Sequence, residues 1–168
     1  SSGLESGGVL SVSKHFPGRG DTETDSHHSL PYLPFTKSRL DSVELYPFKR
    51  IIDSGLGGIM VGHLEIPALE LQKGLPSSLS RSIVTGLLKE ELGFKGLVFT
   101  DALAMKGAAA VNPSLKAIKA GNDMVLTPSY NIKKEIDAVM KALDSGDITL
   151  ADIEEKCKKV LTFKYALG

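Results

Sequence analysis

The chain has 168 residues, 42% of them hydrophobic and 24% charged, which suits one globular domain with a substantial core. Lys plus Arg and Asp plus Glu balance at 20 each, so no basic excess points to nucleic acid. One cysteine, Cys157, excludes an internal disulfide and a cysteine-rich metal site, and no apolar run approaches the ~20 residues that span a bilayer. In chain order, the first strand is expected over Val9 to Ser13. A loop rich in Gly, Pro and Asp follows, then a helix around Ser42 to Ser54. Pro47 suits only a first turn, which moves the start of that helix toward Tyr46. Gly55 and Gly57 end it. Gly58 to His63 is the second strand. Ser80 can cap a helix that reaches Leu92 and buries Ile83, Leu87 and Leu88, with Gly93 placed to stop it. Leu97 to Thr100 is the third strand, Pro113 to Ala120 a short helix, and Asp123 to Thr127 the fourth strand. Ile132, Ile136, Val139, Met140 and Leu143 form a helical stripe. Thr149 with Asp152 makes a capping box for a last helix that buries Ile153, Cys157, Val160 and Leu161.

Strands alternating with helices predict parallel pairing through right-handed crossovers. Four βα units are counted, where a closed (β/α)8 barrel needs eight and about 250 residues. The fold is therefore expected to be α/β, either a small open sheet or a half-barrel.

Charged residues gathered past strand ends mark the chemistry. Asp101 directly follows the third strand, where an acid can act as nucleophile, general base or metal ligand, or simply cap a helix. Asp25 and His27 lie two apart, so in an extended segment they share a side, and a carboxylate there can orient an imidazole for acid/base work. Taken alone, an Asp-x-His pair is more often two solvated loop residues. Lys14 and His15 end the first strand and can donate to the hydroxyls of a polar ligand. His63 ends the next strand and is expected at the same mouth, as a ligand or as a structural histidine. No glycine spacing matches a phosphate-binding loop, and no His-Glu-x-x-His or comparable metal spacing occurs.

Lys14-His15-Phe16-Pro17-Gly18-x-Gly20-Asp21-Thr22 with Asp25-Ser26-His27 resembles the signature of the bacterial β-N-acetylglucosaminidase branch of glycoside hydrolase family 3. Phe99-Thr100-Asp101-x-Leu103-x-Met105 resembles that family's nucleophile segment. Pro76 to Phe94 and Ala120-Gly121-Asn122-Asp123 fit as well. The resemblance implies a catalytic nucleophile at Asp101, a general acid/base at His27 oriented by Asp25, and sugar-binding residues at Lys14, His15, Arg19, His63 and Met105. Arg19 departs from the pattern, which usually has histidine there.

The implied reaction is retaining removal of terminal β-linked N-acetylglucosamine from muropeptide-type substrates, with no metal or organic cofactor. Phosphorolysis and β-glucosidase activity are the alternatives within the family. The implied fold is the parallel (β/α) half-barrel. Residues 1–168 then form one domain, the C-terminal part of a catalytic barrel whose N-terminal half, with its own sugar-clasping acid and arginine, lies outside the chain. Ser1 to Gly7 reads as the tail of a preceding helix. Such a half-barrel leaves two sheet edges and an apolar inner face open, so it is expected to take up its other half, self-associate, or remain non-catalytic. The expected partner is otherwise a carbohydrate, without nucleic acid or a membrane span. The sequence does not give the compartment, with the bacterial cytoplasm and periplasm both open.

Overall fold

A computed structural model describes residues 2–20, 29–128, 130 and 132–167. A short helix α1 (Ser2–Glu5) precedes strand β1 (Val12–Phe16). The strand starts three residues later than the apolar run predicts. The amides of Gly7, Gly8 and Val9 are spent on the carbonyls of Leu4 and Glu5, which closes α1 and keeps Val9 out of the sheet. The shift draws Lys14 and His15 into the strand itself. Two cis peptide bonds, Lys14–His15 and Phe16–Pro17, lie in this stretch.

Helix α2 (Lys37–Ser42) is not foreseen by the pattern, although Thr36 caps it by accepting from the Arg39 amide at 3.3 Å. Helix α3 (Tyr46–Asp53) carries Pro47 in its first turn as expected. Strand β2 (Gly58–Val61) stops two residues short of His63. After a 3-10 turn at Ser77–Leu79, a π-helix runs from Ser82 to Glu91, and Ser80 Oγ accepts from the Ile83 amide at its start. Strand β3 (Leu97–Ala102) includes Asp101. Helix α4 (Pro113–Ala120) ends at Gly121, whose φ of 112° favours glycine. Strand β4 (Met124–Leu126), α5 (Ile132–Asp144) and α6 (Leu150–Leu167) complete the chain. No helix among the described residues is long and apolar enough to cross a membrane.

The four strands form one parallel sheet in the order β1-β2-β3-β4. This is half of a (β/α)8 barrel, and β1 and β4 are its open edges. The register places Met60, Phe99 and Met124 side by side on one face, with Ile59 and Val98 on the other. Ile59, Val61 and Val98 are buried against Ile83, Leu88 and Phe48 in the helical layer. Phe16 meets the Phe48 ring edge-on at 5.2 Å, which ties β1 to α3. The concave face is only partly covered, and Val12, Met124 and Leu126 on it remain exposed. The expectation of an open inner face and open edges therefore holds among the described residues.

Two expectations about the last helices do not hold. Cys157 and Leu161 are exposed rather than buried. Helix α6 instead turns Lys156 and Lys159 inward, and Lys159 Nζ reaches Asp123 at 2.7 Å. Helix α5 exposes Ile132, Ile136 and Met140 and buries Glu135, which accepts from the Ser114 amide at 3.1 Å and so caps α4. In both helices a charged residue shares the inward side with apolar residues of the stripe, Val139 and Leu143 in α5 and Ile153 and Val160 in α6, which are half-buried. The Thr149–Asp152 capping box is present: Thr149 Oγ1 accepts from the Asp152 amide, and Asp152 Oδ2 accepts from the Thr149 amide.

Candidate active site

Asp101 is the penultimate residue of β3, on the line of residues that faces the concave side, and its side chain is 18% exposed. No helix starts there, so the N-cap alternative fails. Its Oδ1 accepts from the backbone N–H of Ala102 at 2.8 Å. Its Oδ2 stands 3.5 Å from His15 Nε2, too far to be tightly held. One carboxylate oxygen is thus anchored, and the other has, among the described residues, only this looser approach from His15.

His15 comes from the adjacent end of β1, beyond β2. Gly62 makes the crossing possible, because a Cβ there would sit 3.0 Å from His15 Cβ. Burial pushes the His15 imidazole below its usual pKa. The cationic Lys14 and Arg19 add to this, while Asp101 opposes it. At neutral pH the ring is uncharged and can donate to or accept from a hydroxyl. Arg19 joins His15, Gly62, His63, Leu64 and Asp101 around a small cavity. Lys14 is exposed beside them.

His63 is 1% exposed. Its Nδ1 lies 2.7 Å from Ser78 Oγ and its Nε2 lies 3.1 Å from the Ala102 carbonyl oxygen. Neither ring nitrogen is left over for a sugar hydroxyl, which counts against the ligand reading. Burial lowers its pKa, outweighing the Ala102 bond and the charge of Asp101. Met105 is buried four residues past Asp101, and its amide donates to the same Ala102 carbonyl at 3.0 Å. Asp25 and His27 lie outside the described residues. The structure therefore brings Asp101, His15, His63 and Arg19 together, with Lys14 at the rim.

Sequence reasoning missed the residues behind this group. Ser78 and Asn122 are fully buried, and Asn122 Nδ2 donates to the carbonyls of Ser78 and Ala117, both at 2.8 Å. The run Pro76-Ser77-Ser78-Leu79-Ser80 was the available signal, since three serines between apolar neighbours are all buried. A larger cavity of about 600 Å³ lies at the other end of the strands, lined by Lys89, Phe94, Asp123, Lys156 and Lys159 among others. That end of a barrel carries stability rather than chemistry. Among the described residues no cluster of His, Cys, Asp and Glu could hold a metal ion.

The site is thus an acid at the carboxyl end of β3 with a histidine from the end of β1 and another from just past β2. The family model for the glycosyl hydrolase family 3 N terminal domain matches residues 1–163. The chain belongs to glycoside hydrolase family 3. It is 39% identical over 145 residues to a beta-hexosaminidase of Chromobacterium violaceum, covering 84% of this chain and 39% of that protein. A family 3 beta-N-acetylglucosaminidase from Paenibacillus sp. superposes with a TM-score of 0.93 at 37% identity, over 99% of this chain and 32% of that one. A beta-glucoside phosphorylase superposes with a TM-score of 0.90 at 25% identity, over 98% of this chain and 32% of that one. The chain thus spans about two-fifths or less of the length of each of these proteins.

Proposed function

We propose that this family 3 chain is the nucleophile-bearing half of a retaining hydrolase that removes terminal β-linked N-acetylglucosamine, with cell-wall muropeptides as the substrate class. The single observation that carries the reading is the Asp101 carboxylate, fixed by one oxygen and open by the other at the strand mouth beside His15. Asp101 attacks the anomeric carbon as the glycosidic C–O bond breaks. His27, oriented by Asp25, gives its proton to the departing oxygen. The imidazole then takes a proton from water, whose oxygen displaces Asp101 and releases the sugar with its original configuration. Lys14, His15 and Arg19 hold the sugar hydroxyls, with Met105 packed behind them.

We read residues 1–168 as one domain, the second half of the catalytic barrel. Its open concave face and edges are the seat of the first half, or of a second copy of this chain where that half is absent. The test is hydrolysis of a chromogenic N-acetyl-β-glucosaminide, followed by NMR of the first-formed anomer. The expected product is the β-anomer, with turnover abolished in Asp101→Asn. A first-formed α-anomer, or an active Asp101→Asn protein, overturns the assignment. An inactive monomer that gains activity when the other half-barrel is added supports the half-site reading.

Likeness to a beta-glucoside phosphorylase favours a second reading, in which phosphate replaces water as acceptor. Sugar 1-phosphate formed in phosphate buffer, in place of free sugar, selects it.

A further inference from the structure

We propose that His63 is a positioning residue for the nucleophile, a neutral ring that clamps the turn leaving Asp101, and not a sugar ligand. The inference rests on the reading of Asp101 as nucleophile given above. It stands on the geometry of four groups. A carbonyl oxygen cannot donate, so the 3.1 Å contact between His63 Nε2 and the Ala102 carbonyl requires the ring proton on Nε2. The lone pair of Nδ1 then accepts from Ser78 Oγ–H at 2.7 Å. Ser78 is itself held through its carbonyl by the buried Asn122 amide. The clamp thus runs from Asn122 through Ser78 and His63 to the Ala102 peptide.

Ala102 is where the clamp meets the chemistry. Its carbonyl takes His63 Nε2–H together with the Met105 amide, which closes the turn after β3. Its own N–H donates to Asp101 Oδ1. The carbonyl belongs to the peptide after Ala102 and the N–H to the peptide before it, so His63 fixes the plane on one side of the Ala102 Cα while the plane on the other side holds the nucleophile. Freeing the Ala102 carbonyl lets the backbone turn about that Cα and shift the N–H that aims Asp101, and a displacement of about 1 Å in a reacting group can cost about 100-fold in rate. His63 borders the small cavity beside Asp101, but it is 1% exposed and both its nitrogens are engaged, so neither is left for a sugar hydroxyl.

Two substitutions separate this role from simple space-filling. In His63→Gln the side-chain amide nitrogen can take the place of Nε2 and still donate to Ala102. In His63→Asn the shorter side chain can keep a contact toward Ser78 but cannot reach the Ala102 carbonyl. The intact chain is exposed to an activated 5-fluoro N-acetylglucosaminyl fluoride, and the mass increase at Asp101 is followed with time, using Asp101→Asn as the blank. Labelling is expected to slow about 10- to 100-fold in His63→Asn, and His63→Gln is expected to recover most of that loss. In parallel, long-range proton–nitrogen NMR of the wild-type chain should show His63 as the neutral Nε2–H tautomer at pH 6. An Nδ1–H tautomer or an imidazolium at that pH overturns the clamp, as does equal slowing in both variants. A wild-type chain that takes no label even with the other half-barrel supplied, while His63 shows the Nε2–H tautomer, leaves the clamp standing and sinks the nucleophile reading.

Discussion

Replacing Asp123 by asparagine should be among the most damaging single changes outside the site. Asp123 is 2% exposed and lies at the amino end of β4, where its carboxylate serves three donors. Lys89 Nζ approaches Oδ1 at 2.9 Å, Lys159 Nζ approaches Oδ2 at 2.7 Å, and the Val98 amide donates to Oδ2 at 2.9 Å. Both lysine side chains are 24% exposed, so water replaces the lost anion only in part. Asparagine keeps one acceptor but turns an N–H2 toward an ammonium group. Breaking a buried pair from one side costs about 3–5 kcal/mol, and the partial exposure of the lysines favours the lower figure. For a chain of this size ~3 kcal/mol corresponds to a fall of roughly 9 °C in Tm. The assay is thermal unfolding by circular dichroism, with Lys159→Met alone and combined with Asp123→Asn. The double variant should be more stable than Asp123→Asn, because it removes one stranded charge. Burial raises the Asp123 pKa, but the Lys159 bond and the Lys89 charge outweigh it and hold the group below 3.8. A depressed carboxylate stabilises the fold above its unfolded pKa, so the gap between wild type and variant should be full at pH 7 and narrow only below about pH 3.8. A Tm within about 3 °C of wild type at pH 7 would refute the reasoning.

Other outcomes follow from the same geometry. Gly58 lies between β1 and β3, and a Cβ there would stand 2.9 Å from Val12 Cγ2 and 3.2 Å from Phe99 Cε2. Gly58→Val should therefore lower the urea midpoint by the equivalent of about 1–3 kcal/mol, and an unchanged midpoint would remove the packing argument. Thr149→Ala removes the cap of α6 and should cost about 1 kcal/mol in the same measurement. Burial lowers the pKa of both His15 and His63 below 6.5. A depressed imidazole leaves the fold fully stable above about pH 6.5 and weakens it as pH falls through the folded value, by at most about 1.4 kcal/mol per pH unit for each ring. Substituting His63 by Gln should flatten that decline, and an identical slope in wild type and variant would contradict it.

The parallel units were legible because each strand is a short apolar run ended by a charge or a glycine, and each intervening segment has helical spacing or caps. The start of β1 was not, because the use of the Val9 amide depends on how Gly7 and Gly8 close the helix before it. The rotation of α5 and α6 was also hidden. Apolar periodicity points Ile136 and Cys157 inward, whereas Glu135 and Lys159 have their partners in segments far along the chain. At the site, Asp101 and His15 could be read from strand ends alone. The support behind them could not, because His63 meets Ser78 across 15 positions and Asn122 meets Ser78 across 44. A buried serine and a loop serine look the same until the chain has folded around them.

The strictly sequential order of the sheet bears on how the chain assembles. Each strand after β1 finds its neighbour in the unit made immediately before it, so none of these strand pairings must wait for a distant segment to emerge from the ribosome. Closing each successive crossover adds entropy cost only slowly with its length. Pairing of the strands can thus keep pace with synthesis, from amino to carboxyl end, and Lys159 of α6 arrives last to lock Asp123.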